Sequence, residues 1–255
     1  MKKSKNNILK IAFCFLLSAF CFLPTSLFAQ RWQTIKGDGK IVTKEIPISN
    51  FSKIEIEIST TIDYSQTKNT GSVTFKVDDN LLEYYEIFTK NDVLYVQLKK
   101  KYQNKSISLS PTKSLLTVSS EKLLGIEMAG SAKFNFCTDF KSNELSIEIA
   151  GGGKVFAHKY PVNIKKCEIE IAGSGSVQFS GTIQEASVEI AGSGSLSALD
   201  CKIDRLSVEI AGSGNVEAYV VNKLDVEIAG SGNVKYKGSP AVTTEIAGSG
   251  KVKKL

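Results

Sequence analysis

The sequence predicts an all-β protein: a single-stranded right-handed parallel β-helix wound in coils of 18–22 residues. Three observations carry that expectation. One phrase recurs seven times in the second half of the chain, apolar and polar residues alternate inside each copy, and each copy breaks at a glycine-rich corner.

The phrase reads IEMAGSAKF, IEIAGGGKV, IEIAGSGSV, VEIAGSGSL, VEIAGSGNV twice, and TEIAGSGKV. Its glutamates mark the register at Glu127, Glu148, Glu170, Glu189, Glu209, Glu227 and Glu245, with spacings of 21, 22, 19, 20, 18 and 18 residues. That period is too long for a hairpin and too short for a helix pair. Alternation such as Val208, Glu209, Ile210 is the period of a strand with one face buried. The strand then meets Gly212, Ser213 and Gly214, residues suited to a sharp corner, before a second short strand, Asn215 to Ala218. Fourteen of the twenty glycines lie in the seven corners, so glycine punctuates the coils and does not form a linker.

Aligning the copies gives three apolar columns. One residue after the glutamate stand Met128, Ile149, Ile171, Ile190, Ile210, Ile228 and Ile246. Seven after it come Phe134, Val155, Val177, Leu196, Val216, Val234 and Val252, and three before it Leu124, Leu145, Cys167, Ala186, Leu206, Leu224 and Val242. Three apolar columns around one coil enclose a core. The leucine and asparagine consensus of leucine-rich repeats is absent, and a propeller blade needs about 40 residues. The rule for parallel crossovers sets the right hand.

Residues 41–124 lack clear copies but read as strands, with Ile54, Ile56 and Ile58 alternating, then Val73, Phe75 and Val77, then Val93 to Leu98. They are expected to form degenerate first coils and a cap, giving one domain over 41–255 with the seven repeats at 125–255 and an N-terminal extension at 30–40. At the other end Lys251, Lys253 and Lys254 are expected to protect the last edge by charge.

Three stretches, FSKIEIEIS at 51–59, LLTVSSEKLLGIEMAGSAKF at 115–134 and the reiterated EIAGSG, together resemble the auto-transporter adhesin, head GIN domain family of Bacteroidetes. The resemblance covers about residues 41–250. It implies a right-handed β-helix at or outside the cell envelope and an adhesive role, and it supplies no catalytic residues.

The first residues are basic, Ile11 to Leu23 is an apolar run, and Ala29 offers a cleavage point, so residues 1–29 read as a secretory signal peptide. Thirteen apolar residues are too few for a span of about 20. Lipidation at Cys21 is a variant of the same export reading, opposed by Phe20 where a small residue is usual. The formal charge of +6 includes Lys2, Lys3, Lys5 and Lys10; without them 28 basic side chains face 26 acidic ones. With Arg31 and Arg205 as the two arginines, nucleic acid is not an expected partner. Cys137, Cys167 and Cys201 remain after the leader, an odd count with no zinc spacing and no disulfide framework.

The candidate site is the glutamate column itself, Glu127, Glu148, Glu170, Glu189, Glu209, Glu227 and Glu245, with Asn215 and Asn233 across the corner. Stacked like charges repel by about 0.2–1 kcal/mol per neighbouring pair. A surface ligand, glycan or protein, or cations could sit along such a ladder; the plainer reading, which is favoured, is screening by water with nearby lysines and hydroxyls offsetting the charge. Serines 131, 174, 193, 213, 231 and 249 are expected to satisfy turn backbone groups. Register sets Cys137 beside His158 on the next coil, but no acid or oxyanion feature accompanies them, and Cys167 reads as a small buried apolar residue. No cofactor or metal is expected. The rival class, a pectinase-like polysaccharide-processing enzyme, needs carboxylates in a cleft with separated pKa values, unlike a regular external ladder. A purely structural envelope protein is the other alternative.

Overall fold

The computed structural model describes residues 33–255 apart from 69, 70, 104 and 106. The leader assigned to residues 1–29 and the lipidation alternative at Cys21 lie outside the described residues. The unit running from Thr34 to Leu255 is almost entirely β.

Its first part comprises β1 (Gln33–Lys36), β2 (Ile41–Pro47), β3 (Lys53–Ile56), β4 (Thr61–Gln66) and β5 (Ser72–Asp78). A 3-10 turn (Asp79–Tyr84) leads to β6 (Tyr85–Lys90) and β7 (Val93–Leu98), and a short helix, α1 (Lys100–Gln103), to β8 (Ile107–Ser110) and β9 (Ser114–Ser120). The repeats supply β10 (Gly125–Gly130), β11 (Lys133–Phe136), β12 (Phe140–Gly151), β13 (Lys154–Gly173), β14 (Ser176–Gly192), β15 (Ser195–Gly212), β16 (Asn215–Gly230), β17 (Asn233–Lys237), β18 (Ala241–Gly248) and β19 (Lys251–Lys254). They stack in parallel as a β-solenoid of about six turns.

The register is set by apolar side chains that repeat from coil to coil. Ile149, Ile171, Ile190, Ile210 and Ile228 lie in successive cross-strand pairs, and all are at most 2% exposed. A one-residue slip would turn each of them to solvent, at about 1.5–3 kcal/mol per side chain, so the pairing is strongly specified. Inside the same strands Ile147, Ile169, Val188, Val208 and Val226 add a further buried column. The third side of the coil is closed by Ile164, Ile183, Ile203 and Val220, again in register.

From the second repeat onward the corners keep the ladder unbroken because their glycines let two turns touch. Gly212 has φ 127°, and a Cβ there would lie 2.6 Å from the Gly192 carbonyl oxygen; one on Gly214 would lie 2.7 Å from Ile190 Cγ2. The Ser213 N–H donates to the Gly192 carbonyl at 2.8 Å and Asn215 N–H to that of Gly194 at 3.0 Å. The corner serines were expected to satisfy turn backbone groups; Ser174, Ser193, Ser213, Ser231 and Ser249 are exposed, and their own backbone N–H groups donate to the glycine carbonyl of the coil before.

In the first part the coils do not follow chain order. β3 pairs with β10 and β4 with β11 in parallel, while β7 pairs with the opposite edge of β3 and β9 with that of β4. The coil at residues 53–66 is therefore sandwiched between the coil formed later, at 93–120, and the first repeat. Beyond it β6 runs antiparallel to β7, and β5 antiparallel to both β9 and β2. Tyr64 sits at the junction, fully buried, with Phe134 stacked at 5.7 Å and Phe136 edge-on at 5.7 Å. Two column assignments differ here and at the far end. Leu123, fully buried, takes the core position beside the half-buried Leu124, since β10 begins only at Gly125. Val242 and Ile246 are 39% and 41% exposed because no described coil covers them.

Candidate binding face

Alternation along each repeat strand sends every second side chain outward, and parallel in-register stacking turns equivalent positions into rows. The pairs Glu127↔Glu148, Glu148↔Glu170, Glu170↔Glu189, Glu189↔Glu209, Glu209↔Glu227 and Glu227↔Glu245 make the predicted ladder, with six of its members exposed and Glu189 half-buried. At about 4.8 Å per strand it runs on the order of 29 Å.

An eighth carboxylate extends it: Glu55 on β3 pairs with Glu127. The IEI triplet at 54–56 is the signal that could have revealed it, as it matches the start of the repeated phrase. Burial, then Glu127, then Glu57 push the Glu55 carboxyl above the usual range. Burial and then Glu127 do the same to Glu148, opposed by Lys53, with Glu168 adding to the rise. Lys53 reaches the ladder because Gly125 beside it has no side chain: a Cβ there would stand 3.2 Å from Lys53 Cγ.

Two further rows share the face. Two residues after the glutamates run Ala129, Ala150, Ala172, Ala191, Ala211, Ala229 and Ala247, all exposed except the half-buried Ala172. On the other flank ion pairs compensate charge, with Lys166 on Glu168 at 2.7 Å and Arg205 on Glu185. Lys223 pairs similarly with Asp225.

Asn215 and Asn233 lie past the corner, on the next side of the coil, in a row with Ser195 and Lys251. Their amides are engaged with one another, Asn233 Nδ2 donating to Asn215 Oδ1 at 3.3 Å, and each donates to the carbonyl two residues back, Ser213 or Ser231, at 3.3 Å. They brace neighbouring turns and stand apart from the carboxylate row.

Cys137 and His158 are not drawn into a catalytic pair. The pairing of β11 with β13 ends at Asn135↔Phe156, His158 packs edge-on to Phe156, and the Cys137 backbone N–H donates to the Tyr64 carbonyl at 2.7 Å. Burial pushes the Cys137 thiol up, away from the thiolate a nucleophile needs. Cys167 is fully buried, as its column predicts, and burial raises its thiol too. Among the described residues no group of His, Cys, Asp or Glu is arranged to hold a metal ion.

The profile of the family described as "Putative auto-transporter adhesin, head GIN domain" matches residues 50–240. The chain belongs to this family. Solved structures give the same answer for the fold. A "Putative lipid binding protein" from Parabacteroides distasonis is 29% identical, with a TM-score of 0.74 over 88% of this chain and 100% of that one. A "putative adhesin" from Parabacteroides merdae is 25% identical, with a TM-score of 0.67 over 88% and 99%. A "putative adhesin" from Bacteroides fragilis, at 23% identity, has a TM-score of 0.77 over 87% and 100%, a likeness of fold. A search of functionally curated proteins finds no match. Membership of the head GIN family thus joins the repeated phrase, the solenoid and the adhesin label in one chain.

Proposed function

We propose that this head GIN chain is an exported, non-enzymatic binding module of the cell envelope or surface, and that adhesion is its task. The observation that carries the reading is the ordered outward face, a straight row of carboxylates at strand spacing beside a row of alanines on a rigid parallel sheet. Such a face meets an extended or repetitive partner, a glycan or a protein surface, with many equivalent weak contacts, and multivalency raises avidity without any single tight site. The family label supports adhesion, and the leader pattern at residues 1–29 supports export to the periplasm, the outer-membrane surface or the medium. No helix among the described residues is long and apolar enough to cross a membrane.

Enzymatic polysaccharide cleavage fits less well, because the carboxylates form one row along the outer face, and where burial and like charge act on them, at Glu55 and Glu148, the push is in the same direction, whereas acid and base roles need two carboxyls flanking one bond with pKa values set apart. The lipid-binding description of the Parabacteroides distasonis relative favours lipid as a second ligand class. Phe134, Phe179 and Ile210 fill the coil interior, so a lipid would engage the outer surface.

The test replaces Glu189, Glu209 and Glu227 together by Gln. Stability is expected to stay within about 1 kcal/mol of the parent, since Glu209 and Glu227 are exposed, Glu189 is half-buried, and Gln keeps the shape of each side chain. Attachment to host or bacterial surface preparations, to a glycan array and to phosphatidylglycerol vesicles is then compared at matched stability. Loss of attachment on one of the three identifies the ligand class and the ladder together, and a chelator that reproduces the loss in the parent adds a bridging cation. Attachment equal to the parent on all three removes the carboxylates from the mechanism.

A further inference from the structure

The two ends of the solenoid are finished differently. At the N-terminal end both parallel ladders run into antiparallel strands, β6 on β7 and β5 on β9. At the other end β18 pairs, among the described residues, with β16 alone, and all eight of its residues are exposed. One coil below, the equivalent Leu224, Val226 and Ile228 are at most 4% exposed. Val242, Thr244 and Ile246 therefore occupy core positions that no described coil covers. The neighbouring edge, β19, carries Lys251, Lys253 and Lys254, charges that resist addition of another strand. β18 carries none: its sequence is AVTTEIAG.

We infer that the β18 edge is a dimerisation surface that takes the β18 edge of a second copy of this chain, antiparallel, about a two-fold axis through Thr244. The sequence is self-complementary in that one register. Thr244 faces the partner's Thr244, Val242 faces the partner's Ile246 and Ile246 the partner's Val242, so the open cores of the two copies meet. On the outer side Glu245 faces the partner's Thr243 and Ala241 the partner's Ala247, so no like charges oppose.

The neighbouring registers fail for separate reasons. A shift of one residue sets inward side chains against outward ones. A shift of two in one direction puts Glu245 against the partner's Glu245 and Val242 against the partner's Gly248. In the other direction it puts Ile246 against the partner's Pro240, which has no N–H to give. Head-to-tail growth would need a parallel edge at the N-terminal end, where the strands are antiparallel, so the contact closes as a pair. The lysines of β19 confine the contact to one side of the coil, and the dimer is expected to be weak and concentration-dependent. It would set two carboxylate ladders end to end on one continuous face.

The experiment is sedimentation velocity of the purified protein over a concentration series, with circular dichroism to verify that each variant keeps its strands. The parent should shift from one chain mass to two as concentration rises. Thr244→Lys, which sets two lysines against each other at the two-fold, should stay at one chain throughout. Thr243→Lys faces the partner's Glu245 and should move the transition to lower concentration, a gain that no monomeric role for this exposed threonine produces. Thr244→Cys should give a disulfide-linked dimer on mild oxidation, where Glu245→Cys gives far less. A parent that remains one chain at every concentration overturns the inference, as do equal dimerisation of Thr244→Lys and a Thr243→Lys curve that overlays the parent's.

Discussion

The repeats at 125–255 and the segment at 41–124 build the same solenoid by different means. In the repeats each coil is laid on the one just synthesised, and a single phrase supplies strand, corner and next strand. In the earlier segment the coil at 53–66 waits for two partners, one 93–120 and the other the first repeat, so that Lys53 ends beside both Val93 and Gly125. The repeats are held by local stacking of like on like, whereas the first coils are held by long-range closure, which costs chain entropy before any contact repays it. A repeat can be added or lost without rewiring its neighbours; the first coils cannot.

Deletions separate the two regimes most sharply. Removing Glu209 to Val226 takes out one period, and Val208 then runs into Glu227 as it ran into Glu209. The shortened chain should fold with an unchanged far-ultraviolet spectrum, since each coil touches only its neighbours. Removing Tyr85 to Ser120 leaves Ile62 and Tyr64, both fully buried in the intact protein, on an uncovered edge and should abolish the cooperative melt. Equal tolerance of the two deletions would mean that the sandwiched coil is not the closure point of the fold.

Single truncations repeat the comparison on a smaller scale. Phe134→Ala, at the aromatic junction between the sandwiched coil and the first repeat, should cost about 3–5 kcal/mol. Ile210→Ala, in the middle of the isoleucine column, should cost about 2–5 kcal/mol, near the lower end if the isoleucines above and below relax into the space. Ser197→Ala, on the exposed face of β15, should fall within about 0.5 kcal/mol and is a cleaner control than Glu217, which pairs with Lys235 at 2.9 Å. Chemical denaturation read by tryptophan-independent circular dichroism checks all three, and an Ile210→Ala cost as small as the control's would reverse the inward assignment of that column.

The difference between the regions also decides what could be read in advance. The glutamate phrase revealed period, corner and core columns, because stacking like on like writes the same residue at each level. It did not reveal that Glu55 continues the ladder or that Tyr95 stands in the next position, since these strands share only fragments of the phrase and their order in the stack is set by pairings distant in sequence. For Asn215 and Asn233 the position across the corner and the alignment in a row were legible, but the amide-to-amide bond between them was not, since it depends on the path of the corner. Lys53 escaped notice because its reach over Gly125 is a fact of packing between segments 72 residues apart.

The most local expected effect lies in how the capped end responds to acid. Asp78 ends β5 fully buried, and its carboxylate accepts from Thr112 Oγ1 at 2.6 Å and Gly39 N–H at 2.8 Å through one oxygen, and from Thr112 N–H at 2.9 Å and Lys113 N–H at 3.4 Å through the other. It thereby ties the turn before β2 and the turn before β9 to the antiparallel cap. Burial alone would raise its pKa; the Thr112 hydroxyl and the three backbone N–H groups outweigh it and hold the carboxyl at about 2, below its ordinary 3.8. A depressed folded pKa means that the stabilisation is fully present above the unfolded value and is lost as pH falls from about 4 through about 2. The repeats contain the opposite case in Glu148, whose carboxyl burial and Glu127 push up, so protonation there favours the folded state. Acidification should accordingly loosen the cap before the repeats. Hydrogen exchange read by mass spectrometry between pH 4 and pH 2 should show protection falling first in peptides covering 37–47 and 107–120. Asp78→Asn keeps the shape but presents an NH₂ to donors on one side, so it should show the loosened cap already at neutral pH and little further change on acidification. A cap in the parent that keeps its protection down to pH 2, or an Asn variant with the parent's pH profile, would remove Asp78 as the tie.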